Sequence, residues 1–164
     1  MVYTVTFNPA VDYIVHTKQL IAGATNRSDS EEIYFGGKGI NVSIVLSELG
    51  VKSKALGFVA GFTGEAIEKG VAEKGIDADF VHLNEGFSRI NVKIKSGEET
   101  ELNGQGPKIT DEAIRELYAK LDEIQDGDTL VLAGSIPSSL PADIYERILE
   151  RLSGKKIRAV VDAT

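Results

Sequence analysis

The residues best suited to chemistry lie in Gly36-Gly37-Lys38-Gly39-Ile40-Asn41, between an extended segment and a helix. Glycines packed this densely let a backbone approach a ligand closely. A helix start presents free N–H groups to an anion, and Lys38 adds a positive charge. The spacing is not a Walker A loop, which would need glycine at Glu32 and Ser or Thr at Gly39. It is not Gly-x-Gly-x-x-Gly either, because Gly37 and Gly39 lead to Val42. A tight turn beside a solvated lysine is the plain alternative.

Four further residues carry a similar double reading. Asp12, just past the first strand, can accept hydrogen bonds from sugar hydroxyls or simply serve a turn. Arg89 lies on the polar side of an alternating strand, where its planar fork suits a phosphate. It could equally be an exposed strand arginine, and Arg27, in a loop, has the same ambiguity. Ser135, in Gly134-Ser135-Ile136-Pro137, follows an apolar strand. There it could aim a hydroxyl into the crevice of a parallel sheet, or only connect strand to helix. Ala133 and Pro137 rule out a nucleophile elbow around Ser135. His16 and His82 have no ligand-spaced neighbours, so no metal site is expected. The absence of cysteine excludes disulfides, zinc-thiolate and iron–sulfur sites and a thiol nucleophile.

The elements that must position these groups can be read from periodicity. Strands are expected over 2–7, 11–18, 31–35, 54–59, 79–83, 88–95, 98–103, 129–133 and 157–161. Helices are expected over 39–49, 63–74, from Thr110 past Ile124, and from Pro141 to Leu152. In 88–95 the alternation is strict: Ile90, Val92 and Ile94 on one side, Arg89, Asn91, Lys93 and Lys95 on the other. That predicts a half-buried strand with its polar side free for solvent, ligand or partner. Alternating strands and helices imply an α/β layer with a parallel sheet. The extended segments near 11–35 and 87–104 interrupt that rhythm and read as a small separate sheet, a lid. The last strand ends at Asp162-Ala163-Thr164 without a covering helix, so truncation is expected.

Composition sets the limits. The chain has 164 residues, 42% hydrophobic and 26% charged, which is globular and enough for a core. The net charge of −7 sits in residues 61–128, with 16 acids and 8 bases, while residues 1–60 carry 5 of each. Without a basic stripe, nucleic-acid binding is not expected. A small anionic ligand needs only a local pocket. No stretch approaches a membrane span, and Met1-Val2-Tyr3-Thr4 has no basic leader, so a cytoplasmic location is expected. Asn26-Arg27-Ser28 and Asn41-Val42-Ser43 then match the glycosylation pattern by chance.

Taken together, seven segments resemble the N-terminal half of ribokinase-like (phosphofructokinase B) carbohydrate kinases, the 1-phosphofructokinase branch above all. They are Thr4–Asp12, Gly36–Val42, Ala55–Val59, Arg89–Lys93, Thr100–Pro107, Gly134–Pro137 and Val160–Asp162. Phe7, Ala60 and Ser88 depart mildly from the family's usual leucine, glycine and threonine. The resemblance implies a three-layer αβα fold with a mostly parallel sheet and a β-sheet lid. Residues 1–164 would form the N-terminal part of one such domain. It further implies that Asp12 and Asn41 bind sugar hydroxyls and that Gly36 and Gly37 close on the sugar. Lys38 and Arg89 would hold the substrate's phosphate, with Ser135 lining the pocket and Arg27 reaching in from a neighbouring subunit.

The implied reaction is transfer of the ATP γ-phosphoryl, with Mg²⁺, to the 6-hydroxyl of fructose 1-phosphate. A tagatose-6-phosphate kinase is the nearest alternative, and a non-catalytic sugar-phosphate-binding or dimerisation module the next. A homodimer through the lid is implied as well. The family's Gly-Ala-Gly-Asp motif, which carries the catalytic aspartate, does not occur in the sequence. No catalytic residue is therefore assigned, and the chain alone is expected to be inactive.

Overall fold

The computed structural model describes residues 1–162; Ala163 and Thr164, where the truncation is expected, lie outside the described residues. The chain runs β1 (Val2–Thr6), β2 (Ala10–His16), β3 (Ser30–Gly36), α1 (Lys38–Glu48), β4 (Ser53–Ala60), α2 (Gly61–Glu73) and β5 (Asp77–Ala78). It continues through β6 (Val81–Leu83), β7 (Arg89–Ser96), β8 (Glu98–Asn103), α3 (Asp111–Leu121), β9 (Thr129–Ala133), α4 (Ile144–Arg151) and β10 (Arg158–Asp162).

Strands β10, β9, β1, β4 and β5 line up in that order, all parallel, and β6 pairs with the end of β4. Alternation along β4 serves two layers. Leu56 and Phe58 pack with Ile114 and Leu117 of α3 and Ile148 of α4. Ala55 and Val59 pack with Ile40 of α1 and Ile67 and Val71 of α2. This is the expected αβα sandwich, with apolar strands covered from both sides.

Two expectations need correction. The stretch 79–83 is not one strand: β5 pairs with Lys54–Ala55 and β6 with Phe58–Ala60. Between them Phe80 turns into the core beside α2, breaking the ladder. Helix α4 starts at Ile144 rather than Pro141, because the Ile144 N–H bonds back to the Pro141 carbonyl as a turn.

The other strands form a separate four-stranded sheet, β3-β2-β7-β8, as the interrupted rhythm predicts. Its hairpin β7–β8 closes at Gly97, whose φ of +90° favours glycine. The polar side of β7, expected to be free for solvent, ligand or partner, turns toward two hollows of the surface, with Arg89 lining one and Lys93 the other. Asn91 is buried and Arg89 half-buried. The polar side is occupied by cross-strand partners: Asn91 donates to Asp12, and Lys93 pairs with Glu101 at 3.4 Å. The apolar row Ile33–Tyr13–Val92–Leu102 is the more open one, with Ile33 58% and Leu102 73% exposed. Among the described residues no helix is long and apolar enough to cross a membrane.

Candidate functional site

Strand β1 has β4 on one side and β9 on the other, so the direction of winding reverses beside it. Ligands of open α/β sheets bind outside the carboxyl ends of strands at such a reversal. A cavity of about 250 Å³ lies there, lined by Thr6, Asn8, Lys38, Arg89, Gly134 and Ser135 among others. Three residues singled out from sequence, Lys38, Arg89 and Ser135, are thus brought together from α1, β7 and the β9–α4 connection.

Local packing explains their placement. Helix α1 starts at Gly37, with φ +135°, no side-chain cap and no acid in its first turn. Its positive end is left for an anion. A Cβ on Gly39 would lie 2.5 Å from Thr6 Oγ1 and 2.7 Å from the Val5 carbonyl oxygen, so only glycine lets α1 sit this close to β1. The Ile40 N–H donates to Thr6 Oγ1 at 2.9 Å and fixes that contact. Lys38 Nζ lies 3.3 Å from Asp162 Oδ2 at the end of β10.

On the opposite wall, the Tyr145 hydroxyl donates to the Gly134 carbonyl at 2.9 Å and holds the turn that carries Ser135. Burial pushes the Tyr145 pKa up from 10.0 to about 12, so the hydroxyl keeps its proton further into the alkaline range. Arg89 follows Ser88, which is buried and bonded to the β4–α2 junction. The Ser88 N–H donates to the Ala60 carbonyl at 2.9 Å, its Oγ accepts the Ala60 N–H at 3.0 Å, and its carbonyl accepts from Thr63 Oγ1 at 2.7 Å.

The other sugar-binding candidates line a neighbouring cleft of about 710 Å³ that contains Asp12, Gly36, Asn41, Tyr34 and Lys93. A Cβ on Gly36 would come within 2.9 Å of Asn41 Oδ1, so the glycine makes room for that amide. Asp12 Oδ1 accepts from Asn91 Nδ2 at 2.8 Å. Burial draws the Arg89 guanidinium below its ordinary pKa, while the Asp12 charge acts the other way. Asp12 and Arg89 therefore feel each other across the boundary between cavity and cleft. A third hollow, about 690 Å³ beside His82, Glu85 and Glu112, holds none of these residues.

Arg27 is not brought to either. Strand β2 leaves the main domain at Ala10, and the loop carrying Arg27 begins beyond its far end, at Thr17. Seven strand residues span roughly 20 Å, which places Arg27 far from the cavity in its own chain.

Several contributors carried no sequence signal strong enough to find them. Asn8 reads as a strand-ending Asn-Pro, yet its Nδ2 donates to the Gln105 carbonyl at 2.9 Å and ties the segment after β8 to the cavity wall. Thr6 looks like an ordinary strand threonine. Asn91 was one polar position in an alternating run. No group of three or more His, Asp or Glu able to hold a metal occurs among the described residues.

Comparison with known proteins gives a consistent result. The pfkB carbohydrate kinase family matches residues 5–164. The 1-phosphofructokinase of Bacillus subtilis is 52% identical over 162 residues, 99% of this chain and 53% of that protein. A D-tagatose-1-phosphate kinase of Bacillus licheniformis is 39% identical over the same share of each chain. Among solved structures, phosphofructokinase-2 from Escherichia coli in complex with substrates and products superposes with a TM-score of 0.92 at 26% identity. It covers 99% of this chain and 54% of that one. The same enzyme is also known as a tetrameric inhibited form, with a TM-score of 0.90 and 26% identity, covering 99% of this chain and 54% of that one. The chain spans about half the length of the curated relatives it matches. With a family match over residues 5–164 and a relative 52% identical over 99% of its length, the chain belongs to the pfkB family of carbohydrate kinases.

Proposed function

We propose that this chain supplies the sugar-phosphate site of a kinase that moves the ATP γ-phosphoryl to the 6-hydroxyl of fructose 1-phosphate. The observation that carries this reading is one cavity at the ends of β1 and β9 where Lys38, Arg89 and the uncapped start of α1 converge. Two cations and a helix N-terminus make a seat for one phosphate. Ser135 offers a hydroxyl there, and Asp12 and Asn41 in the adjoining cleft offer hydrogen bonds to sugar hydroxyls. Holding the phosphate at one end presents the far hydroxyl in a fixed direction, and positioning of this kind accounts for much of phosphoryl transfer.

ATP and Mg²⁺ would supply the transferable group and its charge neutralisation. The seat formed by Lys38 and Arg89 suits a single phosphate, so no described residue is assigned to the nucleotide or the metal. The 164-residue chain alone is predicted to bind the sugar phosphate without turnover. ATP and sugar phosphates together fit a cytoplasmic location. The small sheet acts as a lid, 11–35 and 87–104, inserted into residues 1–164 of the kinase domain. Its open apolar row, Ile33–Tyr13–Val92–Leu102, is the surface for a homodimer, which would also bring Arg27 to a neighbour's site.

A second reading is favoured by the relative named D-tagatose-1-phosphate kinase. A tagatose 1-phosphate carries its phosphate at the same end as fructose 1-phosphate, so the same clamp serves both. The tagatose 6-phosphate weighed from sequence would have to enter reversed. The test is a coupled assay of the complete gene product with ATP. Faster turnover of fructose 1-phosphate than of tagatose 1-phosphate or tagatose 6-phosphate is expected. Turnover of none of them would overturn the reading.

A further inference from the structure

Among the described residues, two buried side-chain polar atoms have no hydrogen-bond partner: Arg89 Nε and Asn91 Oδ1. Buried polar groups are nearly always satisfied, so each such atom calls for an explanation. These two are complementary, since Arg89 Nε donates and Asn91 Oδ1 accepts. They are also neighbours. Residues two apart in a strand project from the same face, and both belong to β7. Asn91 is 7% exposed, so water offers its oxygen little compensation.

The other edge of the Asn91 amide is already engaged. Its Nδ2 donates to Asp12 Oδ1 at 2.8 Å, across the register pair Asp12–Asn91. Asn91 therefore stands between the acceptor that faces the sugar cleft and the cation that faces the phosphate cavity. Its oxygen is the open position in that row, and the Arg89 Nε–H is the donor left over.

We propose that Asn91 is a positioning residue that joins Asp12 and Arg89 into one unit when substrate binds. An anion in the cavity draws the outer guanidinium nitrogens toward itself. The Nε–H then settles on Asn91 Oδ1, and the same amide holds Asp12 Oδ1, turning the carboxylate's remaining acceptor capacity to the sugar. The inference rests on the proposed role of Arg89 at the substrate's phosphate. It adds that recognition of the sugar and of the phosphate are coupled through one amide.

Titration calorimetry and ¹⁵N spectroscopy on the complete gene product test this, with fructose 1-phosphate as ligand. In the wild type, the Arg89 Nε–H resonance should shift and gain protection from exchange when the ligand binds. Asn91→Ala should lower affinity at least tenfold and abolish that spectral change. The same substitution in an Arg89→Ala background should cost clearly less, because only the bond to Asp12 is then left to lose. Asn91→Ser, which is smaller but keeps a hydroxyl acceptor, should restore part of the affinity if Asn91→Ala folds poorly. A wild-type Nε signal indifferent to bound ligand would overturn the proposal and leave the reading of the site standing. Equal losses in both backgrounds would likewise overturn it, since that is the mark of a merely structural residue. A wild type that binds no fructose 1-phosphate would overturn the reading of the site and the proposal with it.

Discussion

The two sheets of this molecule solve opposite problems. The parallel sheet buries both faces of its central strands, which carry Val5, Leu56, Phe58, Leu130 and Leu132 at nearly zero exposure. The four-stranded sheet leaves Ile33 and Leu102 in the open and draws Asn91 inward among Asp12 and Arg89. In the first, apolar side chains pack and the few buried polar ones, such as Thr4, Ser43 and Ser53, bond to one another. In the second, polar atoms are organised and an apolar row is left uncovered. Stability belongs to the first sheet, and in the proposed function much of the recognition chemistry belongs to the second, with the first supplying the fixed edge.

That division can be broken at several points. The largest effect should come from Phe58→Ala, which opens a cavity where Phe7 stacks at 5.8 Å between ring centroids. A loss of about 3–5 kcal/mol in urea unfolding is expected. A loss below 1 kcal/mol would mean the core is not where the stability lies. In the small sheet, Asp12→Asn keeps the shape and an oxygen to accept from Asn91, but puts a donor in place of the other acceptor oxygen. It should lower fructose 1-phosphate affinity by about 1.5–3 kcal/mol, the range for charged hydrogen bonds, while the melting temperature stays nearly unchanged. Unaltered binding would make Asp12 no more than a strand residue bonded to Asn91.

A smaller effect belongs to Tyr145, which holds the turn after β9 on the parallel-sheet side. Its folded-state pKa is raised from 10.0 to about 12 by burial, so the protonated form is the one the fold favours. The stability this contributes is complete below pH 10 and is lost as pH rises toward 12. Tyr145→Phe should flatten stability in that window, at a cost of about 1 kcal/mol at neutral pH for the lost bond to Gly134. An unchanged pH profile in Tyr145→Phe would contradict this origin. The smallest effect on stability should come from Leu102→Glu, below about 0.5 kcal/mol for an exposed position. The same change should shift self-association toward monomer in sedimentation, and a dimer that persists would exclude this face as the interface.

Much of this division is legible in the residues themselves. The apolar run Thr129–Ala133 implies a strand covered on both faces, and Thr110 followed by Asp111 and Glu112 implies a capped helix start. The glycines before Lys38 mark a close approach. Of the cavity residues, Ser135 follows β9 of the parallel sheet, whereas Lys38 follows the end of β3 and Arg89 starts β7 in the other sheet, a juxtaposition no local pattern carries. The direction of β7's faces is likewise hidden. Strict alternation identifies two sides but not which is covered, and cross-strand partners such as Asp12 for Asn91 decide it. Asn8 and Thr6 could not be singled out for the same reason, since each acts through a partner far away in sequence: Gln105 and Ile40.

The most direct test of the site is calorimetric titration of the complete gene product and its Arg89→Ala variant with fructose 1-phosphate and with fructose. The wild type should bind the phosphorylated sugar and show little affinity for fructose, and Arg89→Ala should weaken fructose 1-phosphate binding at least tenfold. Equal binding of the two sugars, or an Arg89→Ala variant that binds like the wild type, would contradict a phosphate seat between Lys38 and Arg89.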